Sequence, residues 1–192
     1  MEYYQTGDIL LFNGKGWISY FIEYFGKCDY SHIGMVVVNP STELKGVYLL
    51  DCSLEDSKAV QLRLLDDVVK EYDGSVYFRK MIYERSEKFQ ASIMNVYNEV
   101  KDVPYDLDIF DWIAAKVLVD TDDLSRAEKI PFSNIKDTSK FWCSALVAYL
   151  YVRSDILPVS TPWSIIAPVD FTSFPKYFLE FKCKFEVEKK IK

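Results

Sequence analysis

The sequence predicts an α+β fold, and three observations carry that prediction. Short apolar runs of strand type crowd residues 7–81, whereas stripes at helical spacing dominate from residue 84 onward. Strands before helices favours α+β over a doubly wound sheet. The chain has 192 residues, 49% hydrophobic and 27% charged, with no repeat, low-complexity tract or linker, so a single domain over 1–192 is expected.

The elements follow in order. "GDILLF" (7–12) is an apolar run after a glycine and reads as a strand. "GWISYFIEYFG" (16–26) carries Ile18, Phe21, Ile22 and Phe25 at helical spacing, with Gly26 as its C-cap. "SHIGMVVVNP" (31–40) reads as a strand buried on both faces and stopped by Asn39-Pro40. "VYLLDCS" (47–53) is its partner across a loop, and "AVQLR" (59–63) a third strand. "LLDDVVKEY" (64–72) is helix-like, and "SVYFRKM" (75–81) is again a strand.

Residues 84–101 read as a longer helix with Phe89, Ile93, Val96 and Val100 on one face. "DVPYDLDIFDWIAAKVLV" (102–119) begins with a proline turn and becomes a second helix, and 120–139 is polar and loop-like. A helix follows in "KFWCSALVAYLY" (140–151), starting near Cys143, with Thr138 and Ser139 as candidate caps. A proline-containing segment (157–171) and a last strand near 181–187 complete the chain, and the basic tail "KKIK" reads as a frayed end.

Composition narrows the function. The net charge is -6 and the charges are mixed along the chain, which argues against nucleic acid as a partner. No window approaches the ~20 apolar residues that a transmembrane helix requires, and the start of the chain lacks a signal-peptide pattern, so a cytoplasmic protein is expected. The 14 Tyr and 13 Phe suit an aromatic core, with a greasy pocket as the alternative. Four cysteines (28, 52, 143 and 183) are widely spaced with no C-x-x-C, which suits free thiols in a reducing compartment. No metal or cofactor is expected: a structural zinc site needs four ligands, and Cys28-x-x-x-His32 is the one close pair.

The single histidine restricts the chemistry most. If an imidazole acts as a base in this chain, it is that of His32. A thiolate is a strong nucleophile, and a helix N-terminus favours it because unpaired backbone N–H groups point outward there. Cys143 meets that condition locally and otherwise reads as a packed core residue. An imidazole beside it would complete an activated pair. Cys28 lies between a helix end and a strand start, without that activation.

Taken in order, "GDILLF", "SHIGMVVV", "YLLDCS", "AVQLRLLDDVVKEYDGSVYFRKM", "VPYDLDIF", "FWCSALVAYLY" and "PVDF" resemble the permuted NlpC/P60 group of papain-like proteins. That group includes the YiiX/YaeF-like proteins and, more distantly, lecithin retinol acyltransferase. The resemblance spans residues 6–171. It implies a circularly permuted papain-like fold, an antiparallel sheet packed against helices, in which the histidine strand precedes the cysteine helix. It makes Cys143 the nucleophile and His32 the general base, and it matches Asp51 to the polar residue that orients the imidazole, where many relatives have Glu. Cys52 and Ser53 rival Asp51 by position, because a one-residue slip in register turns Asp51 to the other face. Tyr105 matches a recurring tyrosine that lines the pocket or donates to an oxyanion; packing on the core is its other reading. Asp8 and Asp170 match positions read as structural caps or turns. The chain departs from the group at Ala145, where relatives often carry Glu after Cys-Ser.

The function this implies is a cysteine hydrolase with a Cys-His-Asp triad and a thioester acyl-enzyme. It would be an amidase or peptidase, or an acyl-ester hydrolase or acyltransferase, acting on a small-molecule, peptide or lipid acyl substrate. The aromatic stretches 17–25 and 105–112 tilt the choice toward an apolar acyl group. The alternative is a catalytically inactive papain-like module that binds a peptide or lipid.

Overall fold

The computed structural model describes residues 4–14, 29–53, 59–106, 138–175 and 178–192. The expected helix 16–26, Cys28, and most of the expected helix 102–119 and loop 120–139 lie outside these residues.

Six strands form one antiparallel sheet, joined by β1 (Ile9–Gly14), β2 (His32–Val38), β3 (Val47–Cys52), β4 (Val60–Leu64), β5 (Gly74–Arg79) and β8 (Lys189–Lys190). Their order across the sheet is β4-β3-β2-β1-β5-β8. Each strand from β1 to β4 pairs with the next in sequence, which short connections favour. A two-stranded sheet pairs β6 (Met81–Ile82) with β7 (Lys184–Phe185). The expected strand 75–81 is therefore split between two sheets, and the expected strand 181–187 narrows to β7.

Alternation along the strands builds two cores. Ile9, Leu11, Ile33, Met35, Val37, Leu50, Cys52 and Val60 face one way, toward α2 (Glu87–Val100) and α3 (Cys143–Arg153). Leu10, Phe12, Val36, Leu49, Val76 and Phe78 face the other way and pack on Leu65 and Val68 of α1 (Leu65–Glu71). With both faces covered, β2 needs an uninterrupted apolar run, and "IGMVVV" supplies it.

Helix α2 starts at Ser86, whose hydroxyl accepts the Phe89 amide at 3.2 Å, and buries the expected stripe Phe89, Ile93, Val96 and Val100. Helix α3 is buried along most of its length, from Cys143 to Tyr151. The Tyr151 hydroxyl donates to the Gly7 carbonyl at 2.6 Å and ties α3 to the turn before β1. Gly7 has φ +93°, and a Cβ there would lie 2.7 Å from Met81 and 2.9 Å from Phe89. In the same turn Asp8 accepts from the amides of Gln5 and Met81 and from Arg85. Asp170 accepts the Ala167 amide at 2.9 Å at the start of a 3-10 turn, Pro168–Phe171. Both aspartates hold turns, as the sequence reading has it.

Two local expectations are corrected. Thr138 and Ser139 do not cap α3. Trp142 occupies the N-cap position and makes no side-chain cap bond, because the chain between is held extended, with Phe141 bridged to Tyr105. The C-terminal tail is not frayed. Lys189–Lys190 form β8 at the edge of the sheet beside β5, where the Val76 carbonyl accepts the Ile191 amide at 2.8 Å, and Ile191 packs in the α1 core. Lys192 Nζ donates to the carbonyls of Val69, Lys70 and Tyr72 at 2.8, 2.8 and 2.6 Å, closing the end of α1.

Candidate functional site

The site lies where one end of the sheet meets the start of α3. β2 opens at His32, opposite Phe12 of β1, so its imidazole belongs to the α1 side of the sheet. The Phe12 ring packs on it with centroids 5.2 Å apart. β3 runs antiparallel to β2 with Met35 opposite Leu50 and Val36 opposite Leu49. That register, carried one step further, sets Asp51 across from Gly34, on the same face as His32.

His32 and Asp51 are thus diagonal neighbours, with Gly34 between them. A Cβ on Gly34 would lie 3.1 Å from Asp51 Cβ and 2.7 Å from Leu49 Cδ1. The missing side chain is the space through which the carboxylate reaches the ring. His32 Nε2 donates to Asp51 Oδ2 at 2.9 Å, and Asp51 is fully buried.

Asp51 has a second donor. Arg63 of β4 reaches the same Oδ2 at 2.5 Å. Asp51 pairs with Gln61 and Leu49 with Arg63 across β3 and β4, so the alternation of β4 turns Gln61 and Arg63 to the Asp51 face. Sequence reading missed Arg63. The signal available was this period-2 parity, which is readable once the register is known.

Of the positional rivals, Cys52 faces the helix layer and donates to the Phe141 carbonyl at 3.3 Å. Burial, then the neighbouring Cys143, Asp51 and Asp106, push its thiol up out of the nucleophilic range. Ser53 follows the end of β3.

Cys143 is the first residue of α3 and belongs to the helix-side core, 4% exposed. It hydrogen-bonds the imidazole from that layer, while Asp51 holds it from the other. With Nε2 committed to Asp51, Nδ1 is the nitrogen that meets the thiol. Burial alone would lower the proton affinity of His32. The negative charge of a Cys143 thiolate, the hydrogen bonds from Asp51 and Cys143, and the Asp51 charge outweigh it, and His32 is pushed up to about 10. The ring is thereby held in its protonated form at neutral pH.

Tyr105 is extended rather than helical. It bridges to Phe141 in parallel, and Asp106 donates its amide to the Phe141 carbonyl at 2.9 Å. This ties the Tyr105 segment to the two residues that lead into Cys143. Burial, then Cys143, Cys52 and Asp106, hold its phenol well above the usual range, so it remains a neutral donor. Ala145 is buried in the helix-side core, and Ser144 donates to the Ile166 carbonyl at 2.7 Å. Cys52, Cys143 and Cys183 are free thiols. No helix among the described residues is long and apolar enough to cross a membrane.

No family model and no curated protein matches this chain. A solved structure does. It is described as that of the metalloprotein YiiX from Escherichia coli O157:H7, with a TM-score of 0.58 and 17% sequence identity over 96% of this chain and 97% of that one. The two share a mixed fold with an antiparallel sheet and packed helices. Among the described residues no group of three or more His, Cys, Asp or Glu side chains is arranged so that it could hold a metal ion.

Proposed function

We propose that this chain is a thiol-dependent hydrolase or acyltransferase of the permuted NlpC/P60 papain-like group, a single domain over 1–192. The observation that carries the reading is one imidazole held at 2.9 Å by a buried carboxylate and hydrogen-bonded on its other side to a cysteine at a helix start. The order of the chain, histidine strand before cysteine helix, fits the permuted arrangement, and the likeness to YiiX fits it at the level of fold.

In this reading His32 Nδ1 takes the Cys143 proton and the thiolate attacks an amide or ester carbonyl carbon. The carbonyl electrons move to oxygen. The Cys143 backbone N–H and the neutral Tyr105 hydroxyl are the donors for that oxyanion, and each such donor is worth about 2.7–4 kcal/mol in well-studied cases. As the tetrahedral species collapses, the C–N or C–O bond breaks and His32 gives its proton to the departing nitrogen or oxygen. A thioester on Cys143 is left. Water, or an acceptor alcohol or amine, then gives its proton to His32 and attacks the thioester, restoring the thiolate and imidazolium. Asp51 keeps the ring oriented and favours its protonated form; it transfers no proton itself.

The test is a covalent one. Incubation with activated acyl esters and acyl-peptide amides, followed by intact mass and peptide mapping, should show a hydroxylamine-labile acyl group on Cys143 in wild type and none in Cys143→Ala. Full turnover of any substrate by Cys143→Ala would end this mechanism. The second reading, a binding module without turnover, is favoured by one observation: Cys143 is 4% exposed. A Cys143 that never acylates, in a chain that still binds peptide or lipid, is its signature.

A further inference from the structure

We propose that Arg63 is a positioning residue of this site: through the Asp51 oxygen it shares with His32, it limits how tightly the carboxylate grips the imidazolium. This rests on the Cys143–His32 reading above. Three observations meet here. Asp51 is fully buried, where an unpaired carboxylate is expensive. Two donors, His32 at 2.9 Å and Arg63 at 2.5 Å, use Oδ2, while the buried Oδ1 accepts no hydrogen bond among the described residues. Arg63 stands on β4, one strand beyond Asp51, so its charge acts from behind the carboxylate.

Sharing one acceptor weakens each of its bonds, and a guanidinium beyond the carboxylate offsets part of the charge that favours imidazolium. In the acylation step His32 must give its proton up. A carboxylate that belonged to the ring alone would hold that proton more firmly. Arg63 thus pairs the buried Asp51 carboxylate while preserving His32 as a proton donor.

Among the described residues, the titratable and charged groups around the ring are these. Cys143 comes from α3 and Asp51 from β3. Behind them stand Arg63 on β4, Cys52 on β3, and Tyr105 and Asp106, the last paired with Lys140 at 3.0 Å. His32 is the one histidine of the chain, so its ring carbons give a single titrating signal in carbon-proton correlation spectra.

The experiment titrates that signal in full-length Cys143→Ala, where the thiolate is gone and the midpoint falls into an accessible range. Adding Arg63→Met should move the midpoint up by about one pH unit, the low end of what a neighbouring charge does. Arg63→Gln, which keeps a donor without the charge, should also move it up. Arg63→Lys should leave it near the parent. An unmoved or lowered midpoint in Met and Gln, or an equal rise in Lys, overturns the proposal. The hydrolase reading is decided separately, by acylation of Cys143 in the chain with its thiol intact.

Discussion

Gly34 is where the geometry of the site and the packing of the sheet make the same demand, so Gly34→Ala is an informative perturbation. A Cβ there would meet Leu49 Cδ1 at 2.7 Å, Leu49 Cγ at 2.8 Å and Asp51 Cβ at 3.1 Å. Leu49 is fully buried in the α1-side core and cannot swing into solvent. Overpacking of this kind costs about 1–3 kcal/mol. Against it, alanine in a strand interior recovers about 0.5–1 kcal/mol relative to glycine. The net expectation is a loss of roughly 1–2 kcal/mol, the overpacking being the larger effect. In a chain of this size each kcal/mol lowers the melting temperature by about 2–4 °C. Because Asp51 is pushed as well, Cys143 acylation should fall more than stability accounts for at temperatures where the variant is folded. Melting and acylation rates are measured for Gly34→Ala and for Gly34→Ala with Leu49→Ala. The second change frees the space beside Leu49, so the two substitutions should be non-additive. A Gly34→Ala protein with wild-type stability and wild-type acylation would refute the claim that this glycine opens the path from Asp51 to His32.

Two further predictions concern separate parts of the molecule. Lys192→Met should lower the melting temperature by an amount equivalent to about 0.3–1 kcal/mol, the usual worth of a cation on helix C-terminal carbonyls, and should leave Cys143 chemistry unchanged. Cys143→Ala should lower the His32 titration midpoint from about 10, because the thiolate is the largest influence raising it; an NMR titration in which the midpoint stays put would contradict the contact.

Periodicity made much of this visible before any coordinates. The continuous run after His32 required a strand covered on both sides, and the 3.6-residue stripe of α2 named its buried face residue by residue. The pairing of His32 with Asp51 was not legible in the same way. It depends on a register set across the loop 39–46, where Asn39 takes a left-handed φ of 47° and accepts the Gly46 amide through its side chain at 2.9 Å. Arg63 was hidden for the same reason, since its parity has meaning only after β3 is aligned on β4. The tail misled because edge-strand pairing is non-local: four residues with three lysines look solvated until Val76 is found to need a partner. The cap expectation failed at Trp142, where a tertiary bridge between Phe141 and Tyr105, rather than a local side chain, sets the start of α3.

The central claim is that His32 activates Cys143. The most direct measurement is the rate of Cys143 alkylation as a function of pH, mapped by peptide mass spectrometry, in wild type and in His32→Ala. The account predicts a Cys143 that reacts well below the ordinary thiol range of about 8.5, faster there than Cys52 and Cys183, and slowed by loss of His32. A Cys143 no faster than those thiols, with a pH profile indifferent to His32, would contradict it.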